Sequence, residues 1–257
     1  MKENIFVYFI GTAGSGKSTL TETFRKWFDL RGLDAITVNL DPGAENLPYT
    51  PDVNICDWIS LREVMESNGL GPNGAQIACA DMLALNTNDV KKSIDSFKSD
   101  YVLLDTPGQL ELFVFREAGK YIVQFLNPEK TMIGYLIDPS MAKTPSGFVS
   151  QILLSVNTSF RMGKPQINIL SKADMLTDEE LEIITKWSTN PDDLYGAVAD
   201  EDASVYREMN EGVLNLLRDF GGYTKLIPTG KEAFFGVEDI YTDIQMQFQG
   251  SEDLMRD

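Results

Sequence analysis

The chain has 257 residues, 43% of them hydrophobic and 24% charged, which is long enough to bury the core of one large α/β domain and too apolar for a disordered segment. Its formal net charge of −17 argues against a surface built to hold a nucleic-acid backbone, because such binding neutralises phosphates with Lys and Arg. Histidine is absent and the only cysteines are Cys56 and Cys79, which removes histidine-based zinc sites, the commonest general base and a disulfide framework together.

In chain order, apolar runs alternate with helical patterns, and this predicts βαβ units: a mostly parallel β-sheet flanked by helices. The first strand, 5–10, runs straight into a glycine loop without the longer apolar region of a signal peptide. No apolar run reaches the ~20 residues of a membrane span, so a soluble cytoplasmic protein with no membrane contact and no direct nucleic-acid contact is expected. The loop is GTAGSGKS, Gly11 to Ser18, and a helical pattern over 17–31 follows. G-x-x-x-x-G-K-[ST] between a strand and a helix is a phosphate-binding loop. Gly11, Gly14 and Gly16 permit successive N–H groups to point at one anion, and the helix N-terminus adds positive potential. Lys17 reaches the β- and γ-phosphates, Ser18 ligates Mg²⁺, and Thr12, Ala13, Ser15 and Thr19 complete the cofactor-binding set.

A second strand, 34–39, leads into NLDPGAENLPY, Asn39 to Tyr49. Helical patterns at 57–67 and 75–97 then flank GLGPNGA, residues 69–75, which taken alone reads as a turn. The next strand, 101–105, ends in DTPGQLE. Asp105 is placed to hold the Mg²⁺ shell from the side opposite Ser18, Gly108 lets a backbone N–H approach the γ-phosphate, and Gln109 is positioned to touch an attacking water. The plainer reading is a strand followed by a Pro-Gly turn.

A helix over 110–126, a strand over 132–138 and a helix over 147–162 follow. Strand 166–170 is closed by Ser171-Lys172-Ala173-Asp174, where GTPases carry Asn-Lys-x-Asp. A carboxylate at Asp174 accepts from the N1–H and amino group of guanine, and adenine would leave it unpaired. Ser171 removes an amide that usually helps to hold the base and the neighbouring loops. Segment 176–220 is acidic and helix-rich, and is expected to be a helical insertion at the sheet's edge, either a solvated face or a partner surface. Its Leu214, Leu216, Leu217 and Phe220 are expected to pack on the sheet. The last strand, 225–228, leads into TGK, where Thr229, Gly230 and Lys231 take the place of the short GTPase loop whose backbone N–H meets the guanine carbonyl. A helix over 236–249 and a frayed tail over 251–257 close the chain.

In this order GTAGSGKS, NLDPGAE, GLGPNGA, DTPGQLE and SKAD resemble the GPN-loop GTPases, from about residue 5 to residue 240. The resemblance implies one P-loop GTPase domain over 1–250, with its Gly-Pro-Asn segment at about 56–98, binding GTP/GDP and Mg²⁺. It also implies a homodimer in which Gly71, Pro72 and Asn73 of one subunit reach the nucleotide of the other. Asn73 would then set its amide near the γ-phosphate or the attacking water. By the same resemblance Asp41 orients water or takes its proton, with Gln109 and Glu111 completing the polar network; which of the three is the base stays open. Eukaryotic relatives linked to RNA polymerase assembly and import imply a macromolecular client, RNA polymerase or another assembly. Two other functions fit the phosphate loop. One is a P-loop small-molecule or nucleotide kinase, although only scattered arginines such as Arg116 and Arg161 follow Gln109. The other is a nucleotide-binding scaffold without useful turnover.

Overall fold

The computed structural model describes residues 4–201, 212–215 and 225–248. Strands β1 (Ile5–Gly11), β2 (Ala35–Asn39), β3 (Val53–Asn54), β4 (Tyr101–Asp105), β5 (Thr131–Ile137), β6 (Gln166–Leu170) and β7 (Leu226–Pro228) form one sheet in the order β3-β2-β4-β1-β5-β6-β7. Every pairing is parallel. Both faces are covered, which is why β1 reads IFVYFIG and is buried at every position instead of alternating. Phe6, Tyr8 and Ile10 enter one core layer, and Ile5, Val7 and Phe9 enter the other. The chain leaves β1 toward β2 on one side, while β5 lies on the other, so the crevice of this sheet opens at the carboxyl end of β1.

The helices are α1 (Lys17–Arg31), α2 (Leu61–Asn68), α3 (Pro72–Asp95), α4 (Leu110–Phe113), α5 (Glu117–Leu126), α6 (Pro139–Ala142), α7 (Pro145–Met162), α8 (Asp178–Thr189), α9 (Pro191–Ala199) and the C-terminal α10 (Val237–Phe248). Leu20, Phe24, Trp27 and Phe28 recur at helical spacing on α1 and meet Val237, Ile240 and Ile244 of α10 in one layer. Phe28 stacks on Phe24 and on Tyr101 of β4, each at 4.6 Å between ring centres. The opposite layer receives α2 to α5 and α7 to α9. No helix among the described residues is long and apolar enough to cross a membrane.

Three differences from the sequence expectations have identifiable causes. Apolar spacing predicts one helix over 110–126, whereas the structure breaks it between α4 and α5. Arg161 of α7 donates to the Val114 carbonyl at 2.8 Å and to the Phe115 carbonyl at 3.2 Å, supplying donors where a continuous helix would have used its own N–H groups. A Cβ at Gly119 would overlap the Phe113 carbonyl oxygen. Gly119→Ala is therefore expected to lower stability by about 1–3 kcal/mol, read as a lower denaturation midpoint with an unchanged slope.

The second difference is in GLGPNGA, which is the junction of two helices. Gly69 caps α2 at φ 61°, and α3 starts on Pro72, where the missing N–H has no intrahelical partner to lose. Asn73 thus stands in the first turn of a 24-residue helix that begins three residues earlier than its apolar spacing announces. Third, β3 is only two residues long, too short to show a period.

Within 176–220, α8 starts with a reciprocal Thr177–Glu180 capping box, and Ile184, Trp187, Leu194 and Val198 bury α8 and α9 in the same core layer as α7. Leu214 is buried in that layer too. Leu216, Leu217, Phe220 and the tail 251–257 lie outside the described residues.

Candidate functional site

At the end of β1 the chain has no room for a side chain: a Cβ on Gly11 would lie 2.6 Å from Ser15 Oγ and 2.8 Å from the Leu136 carbonyl oxygen. The loop continues through the exposed Ala13 and Gly14 to Gly16, whose φ of 95° is left-handed and glycine-favouring. Gly16 caps α1 without any side-chain hydrogen bond, so the first-turn N–H groups around Ser18 and Thr19 are available to an anion. Ser15 Oγ is buried there without a partner among the described residues. Lys17 is 5% exposed. Its ammonium donates to the carbonyls of Gly11 and Thr12, both at 3.0 Å, and of Gly108 at 3.2 Å. Burial lowers its pKa, and the nearby negative charges of Asp105 and Asp41 oppose that shift.

Gly108 is where the second and third segments meet. Its N–H donates to Asp41 Oδ2 at 3.2 Å, while Asp41 Oδ1 accepts from Gly43 N at 2.8 Å. Behind Asp41, the Asn39 amide bonds both the Asp41 carbonyl at 3.1 Å and Asn54 Oδ1 at 2.9 Å, anchoring the segment to β3. The N–H of Gly108 therefore already carries a carboxylate, and the Lys17 ammonium stands on the same residue's carbonyl.

Asp105 ends β4 and is 2% exposed. Its Oδ2 accepts from the Tyr49 hydroxyl at 3.1 Å, and its Oδ1 has no hydrogen-bond partner among the described residues. Burial pushes its pKa up to about 6, against the opposing pull of the Ser18 and Tyr49 hydroxyls and the Lys17 charge. A bare, buried carboxylate oxygen near a serine hydroxyl is an oxygen-only donor pair, which suits Mg²⁺, a cation that retains waters and completes its shell with phosphate oxygens. Ser18 and Asp105 are the residues that could hold it.

The carboxyl end of β6 forms a separate cluster. Ser171 donates through Oγ to the Ile137 carbonyl at 3.0 Å, so it ties β6 to β5, a role the missing asparagine amide would not fill in the same way. Lys172 is left-handed at φ 50°, and its carbons lie 3.8–4.0 Å from where a Gly16 Cβ would stand, so its stem lies alongside the phosphate loop. Its ammonium pairs with Asp138 Oδ2 at 3.2 Å. Asp174 Oδ1 accepts from Lys231 N at 3.4 Å and abuts Gly230, while Thr229 O accepts from Ala173 N at 2.8 Å. Asp174, Thr229 and Gly230 are thus one unit, with the carboxylate set against Gly230.

Asn73, Gln109 and Glu111 are exposed, and none of them bonds to Asp41. Gln76 of the same α3 does turn inward: its Nε2 is 3.8 Å from where a Gly43 Cβ would stand, next to the Asp41 carboxylate. Sequence reasoning passes over Gln76, Tyr49, Asn39, Asn54 and Asp138. Only Tyr49 and Asn39 fall inside a quoted motif, and their long-range partners, Asp105 and Asn54, lie outside it.

A profile described as a conserved hypothetical ATP binding protein matches residues 9–250. The chain is 34% identical over 220 residues to GPN-loop GTPase 3 of Kluyveromyces lactis, covering 84% of this chain and 81% of that protein. It is 36% identical over 180 residues to a GPN-loop GTPase of Pyrococcus abyssi, covering 69% and 71%. The crystal structure of a P. abyssi GTPase in its apo form superposes with a TM-score of 0.86 at 30% identity, over 95% of this chain and 98% of that one.

Proposed function

The chain belongs to the GPN-loop GTPase family, and from that premise we propose that it hydrolyses GTP to GDP and phosphate as a Mg²⁺-dependent homodimer. The observation that carries the reading is the convergence on Gly108, with the Lys17 ammonium 3.2 Å from its carbonyl and the Asp41 carboxylate 3.2 Å from its N–H. A γ-phosphate entering between the phosphate loop and Gly108 offers both groups a new partner. Lys17 exchanges three carbonyls for phosphate oxygens, and Gly108 N–H exchanges a carboxylate for one. Asp41, displaced from Gly108, becomes free to orient the attacking water, with Gln109 and Glu111 available from the start of α4. Ser18 and Asp105 would hold Mg²⁺, whose charge offsets that of the β- and γ-phosphate oxygens.

Guanine is favoured over the adenine named in the profile description because the Asp174 carboxylate, set against Gly230, matches two donors on guanine and none on adenine. Support for completion of the site by a second subunit comes from α3. Gln76 turns toward its own Asp41 segment, while Asn73, one turn earlier, is exposed with no side-chain partner among the described residues. Gly71 and Pro72 present that amide at a helix N-terminus, whose positive end suits a neighbour's phosphate. The two free thiols fit a cytoplasmic protein. We read the nucleotide cycle as a conformational switch acting on a macromolecular client, RNA polymerase or another assembly.

Mg²⁺-dependent phosphate release from GTP and ATP tests the reading. GTP is expected to be preferred by at least about 100-fold, and Asp174→Ala to erase most of that preference. Equal turnover of ATP would remove guanine from the assignment, and transfer of the phosphoryl group to a small molecule in place of water would make the protein a kinase.

A further inference from the structure

We propose that Tyr49 is the positioning residue of the metal carboxylate: its hydroxyl fixes Asp105 so that the opposite oxygen faces the cation, which makes the 41–49 segment part of the metal shell. The inference rests on the metal-dependent reading above and assigns a residue to it.

The backbone at Asp105 is pinned from two sides. Asp105 stands opposite Phe9 in β1 and Asn39 in β2, and Leu40 N donates to its carbonyl at 2.8 Å. What the sheet leaves undetermined is rotation of the carboxyl group about its own bonds. Tyr49, 56 residues away in sequence, settles that rotation by donating to Oδ2 at 3.1 Å. Oδ1 is then left buried and without a hydrogen-bond partner among the described residues. A neutral phenol suits this task, since it orients the anion without cancelling the charge the cation needs. An ammonium there would compete with the metal.

The far end of the same segment is fixed as well, through Asp41 on Gly43 N and Gly108 N. One loop therefore holds the metal carboxylate with its last residue and Gly108 with its first. Pro42 and Pro48 restrict the chain between those contacts, so its ends are not free to drift independently. A change in the metal shell is transmitted through Tyr49 to the segment that carries Asp41.

The test uses the full chain loaded with a fluorescent GDP analogue, with analogue release followed against free Mg²⁺ for wild type and Tyr49→Phe. Phenylalanine keeps the ring and removes the donor. Wild-type release is expected to slow as Mg²⁺ rises, and Tyr49→Phe to shift the midpoint upward by about 10-fold or more, the usual effect of losing an outer-shell partner. Release in excess chelator should be the same for both proteins, which a merely structural role would not give. An unchanged or lowered midpoint, or faster release in chelator too, would overturn the role of Tyr49 while the metal reading stands. Wild-type release indifferent to Mg²⁺ would sink the metal reading itself, and the inference with it.

Discussion

Asp105→Asn is expected to stabilise the nucleotide-free chain while abolishing its response to Mg²⁺. Burial holds the Asp105 pKa up near about 6, above its value in the unfolded chain. The folded state therefore binds the proton more tightly, and this group's contribution to stability falls as pH rises between about 4 and 6. Above that window the carboxylate is charged in both states and its full burial penalty remains. Asparagine matches the shape, still accepts from Tyr49 and carries no charge. Part of the gain is lost because Lys17 keeps its buried ammonium with one anion fewer nearby. The net effect is expected at about 1–2 kcal/mol at about pH 8, shrinking as pH falls from about 6 to about 4 and absent below that, measured as denaturation midpoints at about pH 8 and at about pH 4. Mg²⁺-dependent retention of GDP should be lost in the same variant. A variant less stable than wild type at high pH would mean that the charge of Asp105 is compensated within the chain, and that its bare oxygen awaits no cation. Such opposition between stability and function is what a buried carboxylate kept charged for a cation would produce.

The parts of this site that could be read from residues alone are those fixed by local chemistry. GTAGSGKS needs its glycines because the loop turns through left-handed backbone at Gly14 and Gly16, and a one-dimensional pattern reports that directly. The apolar runs of β1, β4, β5 and β6 are legible because parallel strands covered on both faces have no polar side to confuse them. What stayed hidden depends on distant partners. The break at 114–116 follows from Arg161, 46–47 residues along the chain. The contact between Tyr49 and Asp105 and that between Asp41 and Gly108 join segments 56 and 67 residues apart. Ser171 shows the same limit in another form: its departure from the GTPase pattern reads as a loss, whereas its hydroxyl has a structural partner in the Ile137 carbonyl.

Asn73→Ala is expected to lower kcat for GTP by about 100- to 1,000-fold, the range for removing one donor aimed at developing transition-state charge, with little change in GTP affinity. The split follows from exposure: Asn73 has no side-chain partner among the described residues to lose. Its aim is set by the body of α3, which packs through Ala75, Cys79 and Leu83 into the core and is braced to the start of α5 by the paired hydrogen bonds of Arg116 on Asp81, at 2.7 and 2.6 Å. In the proposed homodimer, the exposed first turn of this rigid helix would serve a neighbour's site. Lys17→Ala supplies the complementary loss, since it spoils the phosphate loop of a chain whose Asn73 is intact. Each variant alone should be nearly silent. Mixed in equal amounts and allowed to exchange, they form some dimers in which one site pairs an intact Lys17 with the other chain's intact Asn73, so about a quarter of wild-type turnover per chain should return on random pairing across a two-fold interface. Mixed dimers that form yet stay silent would place Asn73 in its own subunit's reaction or outside the reaction altogether. Full activity in Asn73→Ala alone would return Gly71-Pro72-Asn73 to the ordinary duty of starting a helix.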